Sequence, residues 1–155
     1  QAQISAGVDA VQLFDSWSGS LSPADYMEFV LPYSKEILET LSSKPVPRIH
    51  FGVGTAGILR IMKEAGGEVI GVDWRIPIDE AWENMGNVGI QGNLDPATLL
   101  GQWNVVQSRT KEILSRIGGR SGHIFNLGHG VHPETPVDSA KRLVEFVHKN
   151  TQHRS

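Results

Sequence analysis

The sequence predicts an α/β fold in which five strands run parallel and each is followed by a helix. Three observations carry that reading. Short apolar runs alternate with longer helical patterns along the whole chain. The runs are continuously apolar, as in strands covered on both faces, rather than alternating apolar and polar. Polar residues gather where nearly every run ends: Asp15-Ser16, Asp73-Trp74, Gln91-Asn93-Asp95 and Asn126-His129.

The elements follow in order. AVQLFDS (10–16) is a buried strand with a polar end. SPADYMEFVLPYSKEILETL (22–41) is helical. Ser22 suits its N-cap and Pro23 its first helical position, with Asp25 just inside the first turn. Pro32 should kink or divide that helix, because proline has no N–H to donate. RIHFGVG (48–54) is the second strand, and GILRIMKEAGG (57–67) a short helix closed by glycines. EVIGVDW (68–74) is the third strand, followed by a helix around IDEAWENMG. VGIQGNLDP (88–96) is the fourth. In QWNVVQSRTKEILSRIGG, the residues Val106, Ile113, Leu114 and Ile117 form one apolar stripe. GHIFNLGHG (122–130) is the fifth strand. PVDSAKRLVEFVHKN (136–150) closes the chain as a helix with Leu143, Val144 and Val147 expected inward. No linker or low-complexity segment divides the chain.

Two architectures share this order, an open doubly wound sheet and part of a (β/α)8 barrel. A barrel gathers all its C-terminal strand ends at one mouth, where barrel active sites lie. An open sheet uses one crevice. The repeated polar strand ends favour the barrel. G-V-G-T-A-G at 52–57 spells a loose dinucleotide pattern, but it follows the second strand and reads as a tight βα turn. Five units fall short of the eight that fill a barrel of roughly 250 residues. The chain also starts in mid-pattern without an initiator Met. The expectation is that three more units precede Gln1, or that the chain is a relic.

Bulk properties narrow the function. The 155 residues suffice for one domain with a core. A net charge of −3 offers no broad basic surface to nucleic acid or an anionic membrane, so an anionic ligand needs a locally positive site. The absence of cysteine excludes disulfides, thiolate metal sites and cysteine nucleophiles. No apolar run approaches the roughly 20 residues that cross a bilayer.

His129 stands between Gly128 and Gly130 at a strand end. Glycines there permit a sharp turn and leave the imidazole uncrowded. Such a ring can pair with an anionic group or move protons near neutrality. The plain alternative is a bond to a loop carbonyl. His132 lies close by, but no carboxylate or cysteine stands at a familiar spacing, so a metal is not expected. In FDSWSG, the Ser16 hydroxyl can donate to a carboxylate or simply belong to a polar turn. G-x-S-x-G is absent, which argues against a hydrolase elbow. Phe14 and Trp17 either wall a flat apolar ligand or belong to the core. Asp95, before a proline, reads as a helix cap. Asp73 and Arg75 form an ion pair or part of the mouth. His50 reads as an interior histidine; His123, His148 and His153 read as surface residues.

FDSWSG, PVPRIHFGVG, VIGVDWR, QGNLDP and FNLGHGVHPETP occur in this order. Together they resemble the C-terminal part of the uroporphyrinogen decarboxylase family, over essentially the whole chain. QGNLDP is shared with related families, whereas NLGHGVHPETP with VDW and FDS is specific. The resemblance implies that residues 1–155 are the C-terminal five βα units of one (β/α)8 barrel domain, with the N-terminal units missing. It implies an enzyme that removes CO2 from the acetate side chains of uroporphyrinogen III, giving coproporphyrinogen III in tetrapyrrole biosynthesis. It further implies a homodimer without metal or organic cofactor, in the cytoplasm or, in a photosynthetic eukaryote, the plastid. Carried over position by position, Ser16 and His129 bind the substrate's carboxylates and Phe14 walls the macrocycle. The family's aspartate, tyrosine and arginines belong to the missing half, so no catalytic residue is assigned here. Asp15, Asp73 and Asp95 do not fill that role. Residues 1–155 alone are expected to be inactive and not to fold stably as a monomer. Two alternatives stand beside this: a corrinoid or coenzyme M methyltransferase relative, which would want zinc-binding cysteines, and a non-catalytic porphyrin-binding fragment.

Overall fold

A computed structural model describes residues 1–151. Its sheet has five parallel strands in sequential order: β1 (Val11–Asp15), β2 (Arg48–Gly52), β3 (Val69–Gly71), β4 (Gly89–Leu94) and β5 (His123–Leu127). A short helix α1 (Ala2–Ser5) precedes β1. The connections carry α2 (Pro23–Phe29), α3 (Leu31–Thr40), α4 (Leu59–Glu64), α5 (Ile78–Met85) and α6 (Trp103–Ile117), and α7 (Val137–Thr151) follows β5. Every neighbouring pair runs parallel, with Leu13 opposite His50, Ile70 opposite Ile90, and Asn93 opposite Asn126. Sequential parallel order with one crossover after another is the arrangement of barrel units rather than of a doubly wound sheet.

The core lies between sheet and helices. Ile70, Val72 and Ile90 meet Met62, Trp82, Met85, Val106 and Ile117 there. Each such side chain contributes roughly 1.5–3 kcal/mol by leaving water. Ser22 caps α2, its hydroxyl oxygen accepting from the Asp25 N–H at 3.1 Å, which is worth about 1 kcal/mol. Pro32 divides the predicted helix in two at Val30, where the backbone leaves helical geometry (φ −121°). G-V-G-T-A-G is a βα turn, and its Gly54 N–H donates to the Asp73 carboxylate at 2.6 Å.

Two expectations are corrected. Val144 is 54% exposed, while Leu143 and Val147 are buried. Residues 143 and 147 share a helix face, and Val144 is turned away from it by one 100° step. His123 is not a surface residue. It is half-buried at the start of β5, and its Nε2 lies 2.8 Å from the Gly92 carbonyl oxygen. Burial lowers its pKa, and the bond to Gly92 only partly opposes that. His148 is exposed as expected, whereas His153 lies outside the described residues.

Candidate active site

The sheet is curved, and one bond demonstrates it. Gln91 Nε2 on β4 donates to Gln12 Oε1 on β1 at 3.1 Å, although two strands lie between them. In a flat sheet three strand spacings come to about 14 Å. The two glutamines therefore meet over a concave face. Strand alternation puts Phe14 on the same face as Gln12. Phe14 packs edge-on against Phe51 of β2, with ring centroids 5.9 Å apart, yet it remains 64% exposed.

Asp15 points the other way, into the helix layer. Its Oδ2 accepts from the Ser34 hydroxyl at 2.7 Å and lies 2.6 Å from His50 Nε2. His50 is fully buried, and its Nδ1 has no partner among the described residues. Burial by itself would raise the Asp15 carboxyl. The hydrogen bonds from His50 and Ser34, with the His50 charge, outweigh that and hold it below its usual range. Burial and the Asp15 charge push the adjacent Tyr26 hydroxyl far above its ordinary value. Asp15 thus anchors the turn from behind. Ser18, from that turn, bonds back to the Asp15 carbonyl at 2.7 Å. Ser16 is half-buried, and its hydroxyl makes no hydrogen bond among the described residues. Trp17 is 86% exposed, so the core reading of this aromatic is excluded.

The other strand-end carboxylates are also committed internally. Asp95 accepts from the Ala97 N–H at 2.9 Å and caps a 3-10 turn. Asp73 is 2% exposed and receives the Gly54 N–H, the Arg75 N–H and the Arg75 guanidinium. Asn93 donates to the carbonyls of Asp73 and Ile76, tying β4 to the loop after β3.

Gly128 and Gly130 serve different purposes. A Cβ at Gly128 would lie 2.7 Å from the Trp74 backbone nitrogen, so the loops after β3 and β5 touch there. A Cβ at Gly130 would meet nothing within 4 Å, so the expected crowding does not arise on that side. The Gly130 N–H donates to His129 Nδ1 at 2.7 Å. That fixes Nδ1 as an acceptor. In the neutral ring the proton then sits on Nε2, which leaves an N–H for a partner outside the loop. The His129 side chain is exposed, and so is His132. Among the described residues no cluster of histidine and carboxylate side chains is arranged to hold a metal ion.

The uroporphyrinogen decarboxylase (URO-D) family profile matches residues 1–150. The chain belongs to the uroporphyrinogen decarboxylase family. Among relatives, the uroporphyrinogen decarboxylase of Roseiflexus sp. (strain RS-1) is 52% identical over 154 residues, covering 96% of this chain and 44% of the relative. That of Streptomyces coelicolor is 54% identical over 152 residues, covering 97% and 43%. The chain thus spans less than half the length of the curated relatives it matches. A methyltransferase from Methanosarcina mazei shares the fold, with a TM-score of 0.83 at 22% identity over 97% of this chain and 45% of that one. The five units are therefore part of a (β/α)8 barrel of the URO-D type.

Ser16 and Phe14 sit at the far end of β1, and His129 at the far end of β5, at the two margins of the arc. Neither the Gln12–Gln91 contact nor the role of Ser34 and His50 behind Asp15 is among the sequence-based expectations. A glutamine inside an otherwise apolar strand is the available signal for the first. The second has none, since Asp15 and Ser34 meet only through the tertiary fold.

Proposed function

We propose that this chain is the C-terminal portion, lacking the N-terminal βα units, of a uroporphyrinogen decarboxylase that converts uroporphyrinogen III to coproporphyrinogen III. The observation that carries this beyond family membership is how the strand ends are divided. Asp15, Asp73 and Asp95 are all spent on internal bonds. Phe14, Ser16 and the Nε2 of His129 are not, and they belong to the C-terminal ends of β1 and β5 or the loops just after them. An apolar wall, a hydroxyl and an imidazole N–H suit a flat macrocycle edged with carboxylates. His129 Nε2–H and the Ser16 hydroxyl each donate to a substrate carboxylate, and Phe14 lies against a pyrrole face.

The chemistry needs an electron sink. A pyrrole acetate resists losing CO2 because the resulting carbanion is unstable. Protonation of the pyrrole creates a cation that accepts the electron pair, and reprotonation yields a methyl group. A carboxylate under the macrocycle favours that cation. By resemblance this aspartate comes from the preceding units, together with arginines that bind carboxylates bidentately. The working protein is a homodimer in the cytoplasm, and residues 1–155 by themselves do not turn over. The test is to express the full-length protein and follow uroporphyrinogen III by chromatography. Coproporphyrinogen III with intermediates is the expected result. A folded full-length protein that binds porphyrin and yields no product would leave only the non-catalytic binding reading.

A further inference from the structure

Resting on the decarboxylase reading, we propose that Arg75 is a carboxylate-binding residue of this mouth, working beside His129. The chain is net acidic at −3, so a polyanionic ligand needs a local cation. The loops that leave the C-terminal strand ends span 16–22, 53–58, 72–77, 95–102 and 128–136. Arg75 is the one lysine or arginine in all of them. The remaining described cations lie on helices or at the opposite ends of the strands, as Arg48 does at the start of β2.

The side chain is held ready rather than consumed. Its guanidinium lies over the Trp74 ring at 4.2 Å and donates one N–H to Asp73 Oδ2 at 2.5 Å. It is half exposed all the same, and its other N–H groups have no partner among the described residues. A planar fork fixed by stacking and one ion pair loses little rotamer freedom when a second carboxylate arrives. Asp73 takes one edge of the guanidinium and leaves its remaining N–H groups for a second acceptor. It is buried, and its carboxylate also receives the N–H groups of Gly54 and Arg75. Trp74 packs directly on Gly128, so the Arg75 loop adjoins the loop that carries His129. Two donors, one permanently cationic, then stand on adjoining loops at the C-terminal ends of the strands.

The experiment uses the full-length protein and uroporphyrin as an equilibrium probe, titrated at low and high salt, with uroporphyrinogen turnover alongside. For R75A the expected result is affinity weaker by about tenfold at low salt. The gap should narrow at high salt, because a charge contact is screened and a packing defect is not. In turnover KM should rise while kcat holds. R75K keeps the charge without the fork and should fall between wild type and R75A, which also covers the case of an R75A protein that melts early. Unchanged binding by folded R75A, or a deficit that salt does not alter, would overturn the assignment. Failure of the decarboxylase reading looks different: wild-type protein that binds uroporphyrin in a salt-dependent way but forms no product. Wild-type protein that binds no uroporphyrin would sink both.

Discussion

At the scale of single residues, the site depends on a few donors and one glycine. On the proposed reading, His129→Ala and Ser16→Ala in the full-length protein should each lower kcat/KM on the order of tenfold without abolishing turnover, since each would remove one carboxylate partner. A folded His129→Ala protein with no activity at all would instead make the histidine a proton donor. Gly128→Ala should cost about 1–3 kcal/mol, because its Cβ would lie 2.7 Å from a backbone nitrogen that cannot swing aside. A thermal melt of the full-length protein reads that loss. Activity should fall with it, because His129 is the next residue. Much of this is legible in the sequence. Gly-His-Gly at a strand end announces an exposed imidazole, and Asp-Pro announces a cap. The sequence does not disclose that Gly128 is required by Trp74 while Gly130 has open space. Contacts between loops of non-adjacent strands leave no local pattern.

At the scale of elements, the link between β1, β2 and α3 is the most specific. Asp15 joins all three through His50 and Ser34. Its carboxyl is held below the usual range, so it binds a proton more weakly folded than unfolded. The stability it contributes is therefore complete above the ordinary carboxylate pKa of about 4, and is lost as pH falls through the lower folded value. In the full-length protein, Asp15→Asn should lower the melting temperature at neutral pH and flatten its fall below about pH 4. A variant whose acid profile parallels wild type would mean that other carboxylates govern the acid limb. The strands are legible because short apolar runs bounded by turn residues, too short for helices, alternate with longer helical patterns. Their ends are not. The apolar pattern carries the third strand to Trp74, but it pairs only through Gly71, because Asp73 leaves the ladder to hold the Gly54 N–H. His123 departs from its surface expectation because a polar residue at a strand start looks solvated until the neighbouring strand's carbonyl is known to face it.

At the scale of the whole molecule, the two margins of the arc are its weak points. Phe14 with Phe29, Tyr33 and Ile37 is exposed near one, and Ile124 with Val131, Val137 and Val144 near the other. Such surface calls for covering. Residues 1–155 expressed alone should therefore lack a cooperative melt by circular dichroism and should associate. A sharp melt from a monomer would overturn this. The order of the five units is legible because each repeats one pattern, and the barrel reading follows from polar strand ends. How tightly the arc bends is not legible, since curvature belongs to no single segment. Here the Gln12–Gln91 bond has a geometric meaning of its own. It is a tie drawn across an arc, and it holds β1 and β4 nearer to one another over the concave face than a flat sheet allows. The bend is thus already present in these five units. Whatever closes the ring must fit a gap whose angle has been set in advance, as a keystone is cut to an arch.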